Sequence, residues 1–221
     1  MELLEAIKTR KSIRNYKPTA IPKETLAEIL SIASRAPSSI NTQPWEISVI
    51  GGEALENVKK GNIEKLASGV EPQPDVPEPR FEGEYRRRQV DLAIQIFQLM
   101  DIAREDKEGR AKWEERGFRF FNAPAAFIIC MDKSLDDTYS RYDLGSITQT
   151  ICLTALHYGL GTCIHDQGVM YPDVLRKFAN IPDSKRIAVS ISIGYPDWDF
   201  PANRLESTRE PLKNFVTWHG F

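Results

Sequence analysis

The feature that most constrains the fold is the run AAFIICM at residues 125–131, which is wholly apolar. A short strand of this kind is typical of a sheet that is covered on both of its faces. The segment 143–158 is mostly apolar and has helical spacing, so it predicts a second central element. Together the two segments predict a core that contains both a sheet and helices.

Hydrophobic periodicity predicts further elements on both sides of this pair. Helices are predicted at 3–9, from Pro22 to about 37, at 53–68, at about 85–105, at about 110–121 and at 171–180. Strands are predicted at 46–50 and 186–194, with a brief strand or loop at 162–165 and a β-like run at 215–218. Strict βαβ alternation is absent, which favours the α+β class over a doubly wound sheet.

Proline and glycine mark two boundaries. Four prolines lie between Pro72 and Pro79, so this segment can be neither a regular helix nor a central strand. A loop of this length inside a domain is usually functional or disordered. The sequence GLGT at 159–162 ends the predicted central helix, and its first glycine is suited to a left-handed cap.

Composition excludes several classes of protein. The 221 residues include 29 basic and 31 acidic side chains, a net charge of −2, which argues against a nucleic-acid-binding protein. The longest apolar runs are too short to span a bilayer, and the charged N-terminal segment lacks the pattern of a signal peptide. We therefore expect a soluble, cytoplasmic protein that binds neither nucleic acid nor membrane.

The three cysteines, Cys130, Cys152 and Cys163, are odd in number and form no CxxC motif. This pattern predicts buried thiols in a reducing compartment rather than a disulfide framework. Cys163 and His165 alone are too few ligands for a metal ion, so no metal site is predicted.

The first cluster with chemical potential is RKSIR at 10–14, which contains three cations and a hydroxyl within five residues. The planar fork of arginine matches phosphate oxygens or the polar edge of a ring. Basic residues at a helix end are more often a solvated surface, so this cluster alone leaves both interpretations open. Arg204 and Arg209 are later cations that either join the first cluster around a phosphate or form an exposed basic loop.

Two loops have the composition of a ligand rim. The sequence APSSINTQPW at 36–45 is stiffened by two prolines and is dense in donors and acceptors, although a plain helix-to-strand turn has the same composition. The sequence HDQG at 165–168 contains a glycine that lets the backbone approach a ligand, so that backbone N–H groups contact a ring nitrogen. No GxSxG elbow accompanies it, which argues against a hydrolase.

These segments occur together in one known family. RKSIRNYKPTAIPKETLAEIL, APSSINTQPW, the GLGT helix end and the IGYPD…REPL…W tail resemble the FMN-dependent nitroreductase family in order and spacing, over nearly the whole chain. The resemblance implies an α+β fold with a central mixed or antiparallel sheet flanked by helices, in an intertwined homodimer. It also implies one domain, 1–221, with a variable helical or lid insertion at about 70–120 and a dimer-crossing arm at about 205–221.

The resemblance further implies which residues surround FMN at the dimer interface, with Pro37, Ser38, Ser39 and Asn41 reaching the flavin of the other subunit. The implied contacts are Arg10, Lys11, Ser12, Arg14, Pro37, Ser38, Ser39, Asn41, Gln43, His165, Gln167, Gly168 and Arg209. Tyr85, Arg88, Trp113 and Phe118 are the expected substrate contacts. Many members carry Lys-x-Arg at the phosphate where this chain has Ser207-Thr208-Arg209, so Lys11 or Arg204 is the expected substitute.

The activity implied by the resemblance is a ping-pong reaction in which NADH or NADPH is oxidised and an electron-poor small molecule, such as a nitroaromatic or a quinone, is reduced. Since the flavin supplies the redox chemistry, no catalytic side chain is expected. Three alternatives stay open: a specialised family reaction such as reductive dehalogenation, a protein that binds flavin or another small ligand without catalysis, and a structural dimer whose basic residues are solvated.

Overall fold

The computed structural model describes residues 2–135 and 137–221, so Met1 and Asp136 of the predicted domain 1–221 lie outside it. Its strands are β1 (Trp45–Gly51), β2 (Ala125–Asp132), β3 (Gly161–His165) and β4 (Lys185–Gly194). Within the described residues these four form one sheet of order β1-β2-β4-β3, and every neighbouring pair is antiparallel. The sheet of the predicted α+β fold is therefore antiparallel.

Seven helices surround the sheet in the described part of the chain. They are α1 (Leu3–Thr9), α2 (Lys23–Ala33), α3 (Gly52–Ala67), α4 (Gly83–Leu99), α5 (Lys107–Phe118), α6 (Asp137–His157) and α7 (Pro172–Ala179). A further short 3-10 turn, Gln167–Val169, follows β3.

The central strand β2 is buried on both faces, as its apolar run predicts. Phe127 and Ile129 belong to a core cluster with residues of α2 and α6. Ile128 and Cys130 belong to a second cluster with residues of α3 and α7. Because successive strand side chains point to opposite faces, helices cover the sheet on both sides.

Several helix boundaries differ from the prediction, among them the helix predicted from Pro22 to about 37, which ends at Ala33. The predicted helix 143–158 begins at Asp137 instead, because its first turns are largely exposed and give no hydrophobic signal. The helix predicted to reach about 105 ends at Leu99, since Asp101 adopts a left-handed φ of 53° and Ile102 N–H bonds the Phe97 carbonyl at 2.8 Å. The helix predicted at about 110–121 is shifted to Lys107–Phe118, and Asp106 caps its start.

The glycine cap predicted after the central helix is confirmed. Gly159 has a φ of 69°, and Leu160 N–H donates to the Ala155 carbonyl at 3.1 Å, which closes the last turn of α6. This turn directs the chain into β3, whose C-terminal end carries the candidate site.

The β-like run predicted at 215–218 is not a strand in the described chain. A 3-10 turn, Leu212–Asn214, precedes it, and Phe215 and Trp218 are each 66% exposed. A strand forms only beside another strand, and the outer edge of β3 is already bridged by Ser12 opposite Thr162. The strand prediction is therefore wrong for the single chain.

The sequence also predicts that the protein has no disulfide framework, no metal site and no transmembrane segment. All three cysteines are free and buried. Among the described residues, no group of histidine, cysteine or acidic side chains has the arrangement of a metal site. In the same residues, no helix has the length and hydrophobicity that a transmembrane span requires.

Candidate functional site

A cavity of about 720 Å³ opens at the C-terminal end of β3. It is lined by Arg14, Phe118, Phe121, Met170, the 71–78 loop residues Glu71, Pro72, Pro74, Pro77 and Glu78, and Glu114, Cys163, Ile164, His165, Asp166 and Gln167. The volume and the mixture of aromatic, apolar and convergent polar side chains are typical of a small-molecule site. Arg14, Phe118, His165 and Gln167 are thus brought together, as predicted from separate segments.

The backbone around Arg14 is fixed by buried polar groups. Its N–H donates to Oδ1 of Asn203 at 2.6 Å, and its carbonyl accepts from the Arg116 guanidinium at 3.0 Å. Asn203 is fully buried and also holds the carbonyls of Asn15 and Asp197. Neither Asn203 nor Arg116 carried a sequence signal, because each acts on a backbone group that is distant in sequence.

The side chain of Arg14 is only lightly engaged within the chain. Among the described residues its guanidinium makes one long hydrogen bond, 3.4 Å from Nη1 to the Ser12 carbonyl. The other guanidinium donors are available at the cavity wall. A half-buried, weakly engaged arginine of this kind is suited to an anionic or polar ligand.

Arg10 and Arg14 flank Ser12, which lies beside Thr162 of β3. Burial raises the pKa of Cys163, while the charges of Arg14 and Arg10 lower it, so both cations lie within electrostatic reach of that residue. Ser12 lies between them and bridges Thr162, with Ile13 N–H bonded to the Thr162 carbonyl at 2.9 Å. The predicted Arg-x-Ser-x-Arg cluster therefore runs beside β3 as a unit.

Lys11 points elsewhere, since its Nζ lies 3.4 Å from Oε1 of Glu206. Arg204 lines a shallow groove with Leu99 and Glu206. Arg209 is exposed and hydrogen-bonds the Ser207 and Thr208 carbonyls. In the single chain these three cations are therefore not part of the cavity wall.

His165 is a structural imidazole. Nδ1 accepts from the Gly168 N–H at 3.3 Å, so Nε2 carries the proton and donates to Ser192 Oγ at 2.8 Å. Burial, and then the charge of Arg14, lower the pKa of His165 to about 3. Both ring nitrogens are thus used inside the protein, and the expected contact of His165 with the cofactor stays a prediction.

Gly168 is required by packing rather than by ligand approach. A Cβ at this position would lie 2.6 Å from Ser190 Oγ and 2.7 Å from the Phe120 ring. Its N–H is used by His165, and the expected contact of backbone N–H groups in this segment with a ring nitrogen stays a prediction. Asp166 and Gln167, which precede Gly168 in the chain, line the cavity at this end of β3.

The Gln167 side chain packs against α5. Its Nε2 donates to the Glu114 carbonyl at 3.5 Å, and a Cβ at Gly117 would collide with its amide group. The absence of a side chain at Gly117 thus gives Gln167 its place at the cavity.

One tight turn near the site adopts a rare backbone conformation. Phe120, Phe121 and Asn122 are consecutive left-handed residues with φ of 54°, 53° and 62°. Such conformations in bulky residues cost about 1–3 kcal/mol each and persist where the surrounding structure fixes them. Here the Phe120 and Phe121 rings pack edge-on against His165 at 5.3 and 5.0 Å. Nothing in the sequence signals this turn.

The predicted polar loop from Pro37 to Gln43 lies at α6 rather than at this cavity. Asp143, which is buried, accepts from the Ser39 N–H at 3.0 Å and from the Thr42 hydroxyl at 3.5 Å. Ser38 Oγ accepts from the Gln43 N–H at 2.9 Å. Left-handed φ values at Ile40, Asn41 and Gln43 expose the loop tip, where Ile40 is 96% exposed.

The expected substrate residues divide between two places. Phe118 lines the cavity but is 3% exposed and packs against Tyr171, with ring centroids 5.8 Å apart. Tyr85 is 67% exposed on α4, and Arg88 pairs with Glu210 at 3.0 Å. Trp113 is half-buried and is not among the cavity-lining residues. In the single chain only Phe118 therefore meets the cavity.

The fold and the full length of the chain match known proteins. A model of the nitroreductase family matches residues 7–195. The chain belongs to the nitroreductase family. Among curated relatives of this family, it is 34% identical to a chloronitrobenzene nitroreductase of Comamonas testosteroni, over 97% of this chain and 95% of the relative. It is 32% identical to a 4-nitrobenzoate reductase of Pseudomonas putida, over 97% of this chain and 94% of the relative.

Solved nitroreductase structures agree with this assignment. The crystal structure of the FMN- and NADPH-dependent nitroreductase NfnB from sphigopyxis sp. strain HMH matches with a TM-score of 0.95 at 28% identity, covering all of both chains. The NfnB structure from Mycobacterium smegmatis shares the fold with a TM-score of 0.92, at 24% identity and 98% coverage of this chain.

The residues of this nitroreductase fit the flavin that the family implies. Arg14 lies at the cavity wall with donors to spare, Ser12 bridges β3 beside it, and Asp166 and Gln167 continue the same strand into the cavity wall. Phe118 and Phe121 supply an aromatic wall. A cofactor with a phosphate, a polar chain and a planar ring finds a cation, donors and an apolar surface in one cavity.

Proposed function

We propose that this chain is an FMN-dependent oxidoreductase that oxidises NAD(P)H and reduces nitroaromatic compounds, quinones or similar electron-poor molecules. The observation that carries the proposal is the cavity at the end of β3, where the lightly engaged Arg14 meets aromatic side chains. Family membership over residues 7–195 and two curated relatives that act on nitroaromatic compounds support the same activity.

The residues of the site bind and tune the cofactor rather than perform the chemistry themselves. When bound, FMN supplies two-electron transfer between the nicotinamide and the acceptor. Arg14 would hold a positive charge beside the flavin, where negative charge develops on reduction, and Asp166 and Gln167 would hold the cofactor from the same cavity wall. Within the described residues the buried His165 is neutral and engaged, so it takes no part in proton transfer.

Arg10, Ser12 and Arg14 are the cofactor contacts that one chain supplies. The Pro37–Gln43 loop lies at α6, and Arg209 lies on an exposed groove with Arg88. We assign the loop to the flavin site of a second copy of the chain, and Arg209 to the phosphate of the cofactor. Such a composite site explains why these polar residues lie apart from the cavity.

A homodimer also accounts for the apolar surface of the single chain. Large hydrophobic side chains that are more than half exposed occur in α1, at the tip of the polar loop and in the tail: Leu3, Leu4, Ile7, Ile40, Leu212, Phe215, Trp218 and Phe221. Exposed apolar residues on this scale mark an interaction surface. We place the dimer in the cytoplasm, where the three free cysteines stay reduced.

The activity is tested with purified protein under anaerobic conditions. We expect bound or reconstituted FMN, bleaching of its visible spectrum by NADH or NADPH, and recovery of the spectrum on addition of nitrobenzene or 1,4-naphthoquinone. Failure to bind FMN would refute the proposal. Binding without bleaching would identify a flavin-binding protein without catalysis, and bleaching without reoxidation by either acceptor would favour a specialised reaction such as reductive dehalogenation.

A further inference from the structure

The proline-rich segment forms one wall of the cavity. Glu71, Pro72, Pro74, Pro77 and Glu78 line it, so this segment supplies a third of the residues around the space where an acceptor would bind. Proline fixes φ and therefore limits how this backbone can adjust by itself. The position of the wall then depends on where the segment is attached to the rest of the protein.

The proline-rich segment is attached to the region of the chain that follows β3. The Tyr171 hydroxyl donates to the Val70 carbonyl at 2.8 Å, and Gln73 N–H donates to the Met170 carbonyl at 3.1 Å. Met170 itself lines the cavity and is buried. The N-terminal half of the segment is thus joined to the cavity floor by its backbone.

The strongest attachment is a carboxylate in the middle of the segment. Oδ2 of Asp75 accepts from the Arg176 guanidinium at 2.8 Å and from the Ile187 N–H at 2.8 Å. Both side chains of the ion pair are only 17% exposed. The arginine also donates to the Lys185 carbonyl at 2.9 Å, so Asp75 joins the segment to α7 and to β4 at once.

Charge-assisted hydrogen bonds at a shielded site hold geometry better than exposed ion pairs do. Pro74 adjoins Asp75, and Pro77 follows two residues later, so a shift of this carboxylate moves two cavity-lining prolines. The position of such a wall determines which ligands bind in a geometry that allows the reaction.

We propose that Asp75 is a positioning residue: the Asp75–Arg176 clamp sets the wall formed by residues 71–78 and thereby determines which acceptors fit the cavity. Asp75 does not touch the cavity and acts through the prolines beside it. The part of this proposal that concerns acceptors rests on the proposed function, whereas the clamp itself does not.

The chain offers a matched control. Arg176 also pairs with Asp183, whose side chain is 96% exposed, at 3.0 Å between Nε and Oδ1. Asp75→Asn and Asp183→Asn each remove one negative charge from the same arginine. Only the first change releases residues 71–78.

The first measurement does not depend on activity. Holoprotein is treated with trypsin, and cleavage after Arg80, which is exposed just beyond the wall, is followed by mass spectrometry. We expect Asp75→Asn and Arg176→Gln to be cleaved about tenfold faster than the wild type, because the clamp opens more often. Asp183→Asn is expected to match the wild type, and the double variant Asp75→Asn/Arg176→Gln to match either single variant. Equal cleavage of Asp75→Asn and Asp183→Asn would overturn the clamp.

The second measurement compares kcat/KM for nitrobenzene and for the larger 1-nitronaphthalene at saturating NAD(P)H. We expect Asp75→Asn to change the ratio of the two values by roughly tenfold or more, since small misplacements cost activity steeply. Asp75→Glu, which keeps the charge, is expected to recover part of the ratio. A variant that loses thermal stability but keeps the wild-type ratio would overturn the positioning role. If the wild type reduces neither acceptor, the proposed function fails and the trypsin experiment still decides the clamp.

Discussion

His165 illustrates how a polar residue at a ligand cavity can belong to the scaffold. Its two ring nitrogens connect Gly168 to Ser192, and Ser192 in turn donates to the Phe120 carbonyl. The chain of hydrogen bonds is consistent only with a neutral imidazole, because a protonated Nδ1 could not accept the Gly168 N–H. The low pKa of His165, about 3, expresses the same constraint.

This constraint predicts a pH dependence of stability. Between the ordinary histidine pKa of 6.5 and the native pKa of about 3, the unfolded chain binds a proton at this residue and the folded chain does not. Stability therefore decreases as the pH falls through this window, by about 2 kcal/mol between pH 7.5 and pH 5. Urea unfolding of the wild type and of His165→Gln at both pH values measures it. A variant that keeps the full wild-type difference would contradict the assignment.

Gly168 provides a second prediction at the scale of one residue. Gly168→Ala brings a methyl group to 2.6 Å from Ser190 Oγ and 2.7 Å from the Phe120 ring, and we expect a loss of about 1–3 kcal/mol. Gly145 in α6 is the matched control, since no heavy atom of the chain lies within 4 Å of a Cβ placed there. Gly145→Ala is expected to be neutral or stabilising by up to about 1 kcal/mol. Chemical denaturation compares the two, and equal effects would argue against the packing explanation.

The sequence predicted some of these residues and not others for a physical reason. Arg10, Ser12 and Arg14 lie close together in the sequence. Their common position beside β3 therefore follows from local spacing. The roles of His165 and Gly168 depend on Phe120, which takes a left-handed conformation that bulky residues avoid. Local propensity argues against such a turn, so the internal use of these two residues could not be predicted.

At the scale of elements, the C-terminal arm at about 205–221 packs only loosely against the rest of the chain. In the described residues it is joined to the body by the ion pairs Lys11–Glu206, at 3.4 Å, and Arg88–Glu210, at 3.0 Å. Beyond these links, Phe215 and Trp218 are 66% exposed and Phe221 is fully exposed. A second copy of the chain would cover these side chains and offers the outer edge of β1, which no strand of the described chain occupies.

Removal of the arm therefore tests the assembly. We expect a chain that ends at Pro211 to sediment mainly as a monomer of roughly half the wild-type mass, and to lose FMN, because the buried apolar area of the arm drives association. Lys213→Ala, which changes an exposed polar side chain within the arm, is the control and should stay dimeric. A truncated chain that is dimeric and fully loaded with flavin would refute the crossing arm.

Elements were predictable where burial leaves a periodic pattern. The strand β2 and the end of α6 at Gly159 follow from apolar spacing and a glycine cap. The start of α6 was predicted too late because its first turns are largely exposed, with Tyr139 at 66%. The run at 215–218 has the β-propensity of a strand. A strand also needs a neighbouring strand to pair with, and β-propensity alone does not provide one.

For the whole molecule, the central question is whether one chain or two form the flavin site. Arg14 lies at the cavity beside β3, and the loop from Pro37 to Gln43 is held at α6 by Asp143. If each site takes Arg14 from one chain and the loop from the other, two chains with different defects can complement each other. A site contained in one chain cannot be repaired in this way.

Complementation between Arg14→Ala and Asp143→Ala distinguishes the two arrangements. Arg14→Ala removes charge-assisted contacts that contribute about 1.5–3 kcal/mol, so its homodimer should hold FMN roughly ten- to a hundredfold more weakly. Asp143→Ala leaves the Ser39 N–H and Thr42 without their acceptor, which loosens the loop and weakens FMN retention as well. In a mixed dimer, purified through two different affinity tags, one composite site combines two defects and the other combines two intact parts. We expect this dimer to retain FMN at half of the wild-type stoichiometry with wild-type affinity, measured by flavin absorbance against protein. A mixed dimer as empty as both parent homodimers would show that each chain builds its own site.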